Sequence, residues 1–445
     1  KLDARPVLSL KNETEFKKKY YAKYLPLKNQ YSCKKNKILL EAPEYKEVNV
    51  LLNEQNTKPR INLVINTLNK TQIFGGVATA LKLFNEIRQT YSNQLDYRII
   101  VCDALLDHET KERYKECYSI FNSCEINSAI ENDDDCNIVY QITSTLDFIP
   151  LRQNDLFITT AWWTNLIARQ LVEYQKYYFK TSYKIAYLIQ DYEPNFYQWS
   201  SKWALAESSY DKLKEEIIPI INSEELSKFF EGQYSIREYF YLPYEQNKKI
   251  SQHIKKIGRK DKEKKILVYA RPSVYRNAFT LLVDGVAKWQ SENPIIATNW
   301  EILCVGEKFP NSYISNLSNT KVLGKLSLAD YADLLNSSAV GVSLMISMHP
   351  SYPPLEMANN GVRVVTNKYS VKDLTRRSAN VYNIKNFTPE AISNAINEAV
   401  SDYENNSQIS YGLSDPNITL KGKRFNVEEL MFQLCKWKGS SVSGR

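Results

Sequence analysis

Short apolar runs alternate with amphipathic stretches along the first half of the chain. Runs typical of buried strands lie at residues 61–67, 97–102, 137–142, 155–160, 184–190 and 217–221. Helical periodicity is present between them, at residues 77–90, 165–178 and 202–215. Strands that alternate with helices predict a parallel, doubly wound sheet with helices on both faces.

A second series of the same kind begins at residue 266. Strand-like runs occupy residues 266–270, 301–305, 322–323, 339–345 and 362–366, and helices are predicted at 278–291, 327–336 and 389–405 and from Pro353. The chain has 445 residues, too many for one core. We therefore predict an α/β protein with two Rossmann-like domains.

The predicted boundaries follow these two series. Residues 1–57 are lysine-rich and are interpreted as a partly helical extension packed on the first domain, which covers 58–243. The second domain covers 244–425 and opens with a polar linker that reaches residue 265. An amphipathic helix at 426–437, within the last segment 426–445, is expected to cross back to the first domain.

Cationic side chains follow several strand ends of the second series. Arg271, Arg276 and Lys325 stand at such ends, so they should line one crevice at the carboxyl edge of the sheet. Arginine forks match phosphate oxygens and lysine adds a point charge, which suits a diphosphate. Further nucleotide-binding candidates stand at the same corners: Gly306, Val322, Gly324, Tyr352, Pro354 and Leu355.

Glu356 lies in the first turn of the helix predicted from Pro353. Free N–H groups at a helix start favour an anion, so the backbone could hold phosphate while the carboxylate accepts hydroxyl hydrogen bonds. The alternative is that Glu356 only complements the helix dipole. The stretch alone leaves both interpretations open.

Gly75 and Gly76 stand between the first strand and its helix. Such a turn is compatible with phosphate binding, and the alternative is a plain tight turn. The GxGxxG pattern and the Walker lysine are both missing, so a dinucleotide or P-loop site is unsupported.

Two other strand ends in the first half carry polar or aromatic groups. Trp162 and Trp163 could form a platform for stacking on a sugar, or an apolar plug over the sheet. Asp191 could hydrogen-bond an acceptor hydroxyl or act as a base, with Gln190 and Glu193 beside it. Helix capping is the competing interpretation of these acids.

The composition of the chain limits the kinds of ligand and partner that it can bind. The net charge of +8 is dispersed and forms no basic stripe, so we expect no nucleic acid. Seven cysteines without a CxxC pair and three histidines argue against a disulfide framework or zinc site. The acidic run at 133–135 is interpreted as a solvated loop rather than a metal site. With no apolar run of ~18 residues and no leader pattern, a cytoplasmic protein with peripheral membrane contact is expected.

These motifs together resemble the retaining GT-B glycosyltransferases. Arg271 and Arg276 have the spacing of that family's Arg-x4-Lys pair, with arginine in place of lysine. Glu356 matches the second glutamate of its Glu-x7-Glu motif, and Met348 stands where the first is usual. Gly306-Glu307 matches its Gly-acidic turn near the base, Gly75-Gly76 its glycine-rich donor loop, and Gln190-Asp191 its acceptor-side pair.

Four phrases are more similar still to the rhamnan-synthesis rhamnosyltransferases, including those of S-layer glycans. They are TTAWWT (159–164), YLIQDYEPNFY (187–197), ALAESSY (204–210) and HPSYPPLEMA (349–358). The resemblance implies dTDP-β-L-rhamnose as donor and an oligosaccharide or lipid-linked rhamnan chain as acceptor. It also implies retention of configuration, no metal or other cofactor, and an active site in the cleft between the two domains.

On this resemblance each group has an expected role. Arg271, Arg276 and Lys325 neutralise the diphosphate, and Glu356 takes a hydroxyl of the nucleotide sugar. Attack on the same face, with a donor phosphate oxygen receiving the acceptor proton, is expected; Asp191 as nucleophile is the alternative. Other hypotheses are a transferase that uses a different nucleotide sugar and a non-catalytic carbohydrate-binding protein, which Met348 favours. A homodimer is compatible with all of them.

Overall fold

The computed structural model describes residues 7–9, 41–69, 75–92, 94–103, 137–142, 148–405 and 409–436. Most of the 1–57 extension, residues 70–74 of the Gly-Gly loop, the acidic run at 133–135 and the last nine residues lie outside these ranges.

The strands in chain order are β1 (Val7–Ser9), β2 (Asn49–Asn53), β3 (Arg60–Ile65), β4 (Asp96–Val101), β5 (Asn137–Gln141), β6 (Phe148–Arg152), β7 (Asp155–Thr159), β8 (Ile185–Ile189), β9 (Ile217–Asn222), β10 (Phe240–Leu242), β11 (Glu263–Ala270), β12 (Glu301–Gly306), β13 (Thr320–Gly324), β14 (Ser338–Val342), β15 (Arg363–Asn367), β16 (Val381–Ile384) and β17 (Lys423–Arg424). The helices are α1 (Gly75–Thr90), α2 (Trp162–Tyr178), α3 (Ser201–Ser208), α4 (Glu224–Tyr234), α5 (Lys248–Ile257), α6 (Phe279–Glu292), α7 (Pro294–Ala297), α8 (Leu328–Ser337), α9 (Tyr352–Asn359), α10 (Pro389–Asn405) and α11 (Val427–Lys436).

The chain forms two compact units. The first comprises residues up to Ile221, Ile236–Tyr241 and the segment from Gly422 onward, which contains α11. The second comprises Asn222–Ser235 and Leu242–Lys421. The alternation of strands and helices therefore produces the predicted α/β architecture with two parallel-sheet domains, and this fold-class prediction is confirmed.

The first unit is built on an eight-stranded sheet in the order β17-β10-β9-β8-β7-β3-β4-β5. β3 pairs in parallel with β4 on one side and β7 on the other, and β7, β8 and β9 continue in parallel. All six residues of β3 are buried, as expected for a central strand covered on both faces.

A smaller parallel sheet, β1-β2-β6, was not predicted. Residues 49–53 were interpreted as part of a partly helical extension, but they pair with β6 from Asn49↔Phe148 to Asn53↔Arg152. Val50 and Ile149 pack with Leu171 of α2 in one apolar cluster. The partner strand lies almost a hundred residues away, so local periodicity carried no signal for this pairing.

Buried charges lie at the amino ends of the first unit's central strands. Arg60 donates to Asp155 at 2.7 and 2.9 Å, and Arg98 lies 3.6 Å from the same carboxylate. Arg152 donates to Asp96 at 2.5 Å. Burial alone would raise the pKa of Asp155, but Arg60 and Arg98 hold it lowered to about 2.

The second unit contains a six-stranded parallel sheet in the order β13-β12-β11-β14-β15-β16. On one face, Val286 and Trp289 of α6 and Ile396 of α10 pack against the sheet. On the other, α5, α8 and α9 cover it through Ile250, Leu335 and Leu355 among others. Helices on both faces make this sheet doubly wound, and its strand order reverses between β11 and β14, where such folds place ligands.

Three boundaries differ from the predictions. Residues 222–235 belong to the second unit, where the buried Arg377 guanidinium pairs with Glu225 at 2.6 Å and Glu224 at 2.9 Å. The segment interpreted as a linker contains helix α5, because Ile250 and Ile254 bury one apolar stripe. The helix predicted for 202–215 ends at Ser208, and a series of turns follows it. Over the described part of the chain, no helix is long and apolar enough to cross a bilayer.

Candidate functional site

The register of the second sheet aligns three strand ends that carry polar groups. Ala270 of β11 pairs with Gly306 of β12, and Val305 pairs with Gly324 of β13. Arg271, Glu307 and Lys325 directly follow these ends, so they lie along one edge of the sheet. Arg271 is half-buried and Lys325 is exposed.

Close packing joins the first two of these corners. A Cβ at Gly306 would lie 2.9 Å from the Ala270 carbonyl and 3.0 Å from Cγ of Arg271, and its φ of +123° disfavours other residues. Glu307 accepts hydrogen bonds from the amide and hydroxyl of Ser273 at 3.3 and 2.6 Å. Gly306 thus allows the Arg271 side chain to cross the end of β12.

The third corner brings in a cation that the sequence analysis missed. A Cβ at Gly324, whose φ is +72°, would lie 2.7 Å from Cγ of Lys308. This contact with Gly324 makes Lys308 a neighbour of Lys325 at this edge, and both lysines are exposed. Its position two residues after Gly306, at a strand end, was the signal available. Val322, another candidate, is half-buried on β13 and packs against the core.

Arg276 is tied to the loop that leads to α9. Its carbonyl accepts from the Ile346 amide at 2.7 Å, and the Asn277 side chain donates to the Leu344 carbonyl at 3.0 Å. Asn367 and the buried Lys372 hold the other side of this loop through Met345. The structure therefore brings the arginine-bearing turn and the 343–351 loop together across the strand-order reversal.

The start of α9 offers fewer backbone donors than predicted. The helix begins at Tyr352, so Pro353 and Pro354 occupy its second and third positions. Proline has no N–H, which leaves the amides of Tyr352 and Leu355 among the first four residues. The side chains of Pro354 and Leu355 are buried in the core. The expectation of an anion site built from free helix N–H groups is weakened, and the cationic side chains must carry more of that role.

Glu356 lies among tyrosines. It is half-buried, and burial raises the pKa of its carboxyl to about 7, an increase that the Tyr331 hydroxyl beside it limits. Burial and this carboxyl also raise the pKa of Tyr244 and of Tyr331. A carboxyl that only complemented the helix dipole would be exposed to water. The Glu356 carboxyl is instead held in an apolar setting, where it can pair with a hydroxyl.

Two neighbouring positions complete this loop. Met348, which stands at the place of the family's first glutamate, is 2% exposed. His349 is buried, and its Nδ1 accepts from the Ser351 amide at 3.1 Å. Tyr352 is held by Asn222, whose side-chain amide donates to its hydroxyl at 2.9 Å. Sequence reasoning missed His349 and Asn222 because neither belongs to a strand end of the second series.

In the first unit, the glycine turn and Gln190 are brought together. Gly75 and Gly76 form the first turn of α1, after β3. A Cβ at Gly76 would lie 2.5 Å from Oε1 of Gln190, which follows β8. A glycine here therefore leaves space for that amide, although β7 separates β3 from β8 in the sheet.

The tryptophan pair corresponds to the apolar plug rather than the platform. Trp162 has no exposed surface and packs with Ala42 and Ala206, so no face of its indole is open to a sugar. Its Nε1 donates to the Tyr197 hydroxyl at 3.0 Å. Trp163 is half-buried and packs edge-to-face on Trp162 at 5.5 Å. The sequence shows two adjacent tryptophans, but it could not show which of the two rings the N-terminal segment covers.

The acids after β8 are held by the protein itself. Glu193 Oε2 accepts from the Trp162 amide at 2.6 Å, so this buried carboxylate caps α2 rather than the helix that follows it in sequence. Asp191 is buried and accepts from the Tyr192 amide at 2.9 Å. Tyr192 stacks on Tyr210 at 5.9 Å, which stiffens this loop. Within the described ranges, no three His, Cys, Asp or Glu side chains gather as metal ligands.

Comparison with known families decides what these two units are. Residues 60–224 match the family domain described as "WsaF, N-terminal domain", and residues 264–397 match "WsaF, C-terminal domain". Together the matches cover more than half of the chain, one in each unit. The chain belongs to the WsaF family of GT-B glycosyltransferases. The resemblance to GT-B glycosyltransferases that the sequence motifs indicated is thereby confirmed, and the rhamnosyl donor stays a prediction.

Individual proteins and solved structures are also similar to this chain. The O-antigen biosynthesis protein RfbC of Myxococcus xanthus is 30% identical over 184 residues, which are 41% of this WsaF-family chain and 14% of RfbC. The chain thus spans about a seventh of that relative's length. Sucrose-phosphate synthase of Thermosynechococcus elongatus is similar over 77% of this chain and 90% of its own, at 10% identity and a TM-score of 0.49. HepE of Anabaena, solved with UDP and glucose, is similar over 85% of this chain and 95% of its own, at 10% identity and 0.46.

Proposed function

We propose that this protein transfers L-rhamnose from dTDP-β-L-rhamnose to a growing bacterial rhamnan polysaccharide, with retention of configuration. Family membership supports glycosyl transfer, and the name of its relative RfbC supports a role in polysaccharide biosynthesis. The rhamnosyl donor is supported by the sequence phrases shared with rhamnan-synthesis enzymes. The observation that supports the proposal most directly is the hydrogen bond from the Ile346 amide to the Arg276 carbonyl, because it joins the two loops to which we assign the diphosphate and the sugar of the nucleotide.

The second unit binds the donor in this proposal. Arg271, Arg276 and Lys325, with Lys308 beside them, neutralise the diphosphate as the sugar leaves it. Fixed donors around a developing charge stabilise the transition state, and losing one costs about 3 kcal/mol. Glu356, beside Tyr331, accepts a hydrogen bond from a hydroxyl of the nucleotide's deoxyribose.

The first unit binds the acceptor and contributes Gly75, Gly76 and Gln190 on the donor side. The acceptor hydroxyl attacks the face from which the diphosphate leaves, and a phosphate oxygen of the donor receives its proton. No metal takes part in this proposal, because the arginine and lysine side chains supply the positive charge. Asp191 remains the alternative nucleophile, and a glycosyl adduct trapped on Asp191 would overturn same-face attack.

A thermal-shift panel of UDP, GDP and dTDP tests the donor first. A ligand bound only by the native state raises the melting temperature, so dTDP alone should do so. Turnover of dTDP-β-L-rhamnose with a rhamnose-ended oligosaccharide then tests the reaction, and NMR of the product reports the anomeric configuration. Stabilisation by UDP or GDP instead would identify a different nucleotide sugar.

A second candidate, a non-catalytic carbohydrate-binding protein, is favoured by Met348. This buried thioether replaces the carboxylate that orients the donor sugar in related enzymes. The two candidates differ in one result: binding of dTDP and oligosaccharide without any turnover would support the binding protein. Met348→Glu would then be expected to raise turnover if only that carboxylate is missing.

A further inference from the structure

The most exposed large apolar side chain among the first unit's described residues lies just beyond the β8 loop. Trp199 is 86% exposed, and its indole stacks on that of Trp203 at 4.7 Å with an interplanar angle of 28°. Phe196, 37% exposed, lies in the same segment. We call Phe196, Trp199 and Trp203 the aromatic shelf. Exposed aromatic rings that lie together form an apolar patch, and such patches often mark binding sites because exposure of large apolar surface is unfavourable.

The shelf is held in position by polar contacts. Ser200 caps α3 by accepting from the Trp203 amide at 3.2 Å. The Tyr197 hydroxyl accepts from the buried Trp162 indole, and the Lys202 ammonium lies 4.7 Å from the centre of the Tyr197 ring. The stacked rings therefore project from a fixed base rather than from a free loop.

Acidic groups surround that base. Lys202 forms an ion pair with Glu44, and Asp103, exposed after β4, lies close enough for Glu44 and Lys202 to affect its charge. Oε2 of Glu44 is buried and has no hydrogen-bond partner among the described residues, so it does not face the solvent. Lys46, the other nearby cation, donates to the carbonyls of Cys102 and Ile142. Both lysines are thus engaged, and the exposed carboxylate of Asp103 is the acidic group here that a ligand can reach.

This combination fits a carbohydrate. The C–H faces of a pyranose pack on aromatic rings, and its hydroxyls donate to carboxylates. An anionic membrane surface would instead attract free lysines and arginines, and it would be repelled by Glu44 and Asp103. Phe196, the first residue of the shelf, lies six residues after Gln190, so the shelf follows the strand end that carries Gln190 and Asp191.

We propose that the aromatic shelf binds the acceptor glycan, at sugar units upstream of the reacting end. This inference rests on the proposed function, in which the first unit holds the acceptor. It replaces the buried Trp162 by Trp199 as the stacking residue. The rings take a neutral, hydroxyl-rich sugar of the acceptor chain, and Asp103 accepts hydrogen bonds from its hydroxyls.

Calorimetry with the full chain and rhamnose, mannose and glucose tetrasaccharides tests the proposal. We expect wild type to bind one of them, and Trp199→Ala and Trp203→Ala to bind it about five- to tenfold more weakly, as the loss of one aromatic contact predicts. Trp199→Phe should retain part of the affinity. Tyr177→Ala is the control, because Tyr177 is also exposed, at 54%, but lies at the far end of α2.

Kinetics separate this site from the donor site. In Trp199→Ala the KM for a long acceptor should rise about as much as its Kd, while the KM for the donor and the stabilisation by dTDP stay unchanged. Unchanged oligosaccharide binding in both tryptophan variants, or no binding by wild type, would overturn the proposal that the aromatic shelf binds the acceptor. So would Trp199-dependent binding to phosphatidylglycerol vesicles without oligosaccharide binding. Sugar binding lost in Trp199→Ala, with no turnover of dTDP-rhamnose, would reject the proposed reaction and retain the shelf.

Discussion

The backbone amide of Ile346 donates to the carbonyl of Arg276 at 2.7 Å, joining two loops that leave different strands of one parallel sheet. β11 ends before the arginine-bearing turn, and β14 ends before the loop that leads to Glu356. The two strands are adjacent at the reversal of strand order. The same junction therefore positions the arginine-bearing turn and the loop that leads to Glu356, the two segments to which our proposal assigns the diphosphate and the sugar of the nucleotide.

Arg276→Ala should impair donor use without disturbing this junction, because the backbone carbonyl that Ile346 binds is kept. We expect a loss of about 3 kcal/mol in transition-state stabilisation, roughly 100-fold in kcat/KM. Steady-state kinetics and the dTDP-induced shift in melting temperature measure the effect. Lys321→Ala is the control, since Lys321 is exposed and pairs with Glu301 at 2.6 Å near the start of β13. Equal activity of Arg276→Ala and wild type would remove Arg276 from the donor site.

Glu356→Gln should remove the part of the pH dependence of dTDP binding that the Glu356 carboxyl causes, and the part due to the terminal phosphate of dTDP should remain. Burial raises the pKa of Glu356 from 4.5 to about 7, so wild-type affinity for dTDP should increase as pH rises through 7 and the carboxylate forms. Titrations with dTDP between pH 5.5 and 8.5, run in one buffer series, measure this (the limits lie about 1.5 units either side of the pKa). Glutamine keeps the shape but does not ionise. A wild-type profile that is flat through this range would contradict the role given to the carboxylate.

The same group has a predictable effect on stability. Between pH 4.5 and about 7 the folded state keeps a proton on Glu356 that the unfolded state has released. The free energy of unfolding should therefore fall as pH rises through this window, and this part of the slope should vanish in Glu356→Gln. Urea denaturation at several pH values, without nucleotide, compares the two proteins.

Asp155→Asn should be the most destabilising of these changes. It leaves the buried guanidinium groups of Arg60 and Arg98 without their shared carboxylate, and breaking such a pair costs about 3–5 kcal/mol. Because the pKa of Asp155 is lowered from 3.8 to about 2, its contribution should be present above pH 3.8 and lost as pH falls toward 2. Asp211→Asn, which breaks an exposed pair with Arg169, should cost no more than ~1 kcal/mol. Similar losses of stability in both variants would show that the buried ion pair stabilises the fold no more than the exposed pair does.

Gly306→Ala should lower both stability and donor affinity. The new methyl group would meet the Ala270 carbonyl and the Arg271 side chain, and φ at this position is +123°. We expect a loss of about 1–3 kcal/mol, since strained backbone positions have costs of this order. Gly232→Ala is the matched control, because its Cβ would meet nothing within 4 Å and it lies inside α4. That change should stabilise by about 0.5–1 kcal/mol. Wild-type stability in Gly306→Ala would show that the position of the Arg271 side chain does not depend on the space that Gly306 leaves at the end of β12.

Local pattern was sufficient for most of the architecture. Helix α10 was predicted at its observed bounds, residues 389–405, and the βα alternation indicated two parallel sheets. Positions at strand ends were also readable, because parallel strands place their carboxyl ends at one edge whatever their order. Arg271, Gly306 and Lys325 follow from that rule alone.

What the sequence by itself determined is therefore the set of elements and the residues that end them. The tertiary structure decided which side chains are covered and which are paired, because those properties depend on segments far apart in the chain. Residues from the N-terminal segment and α3 bury Trp162, while Trp199 stays exposed. Arg377 attaches residues 222–235 to the second unit, and burial raises the pKa of Glu356 while the Tyr331 hydroxyl, from a different helix, limits the increase. Burial and electrostatic environment are properties of three-dimensional proximity, which local periodicity does not encode.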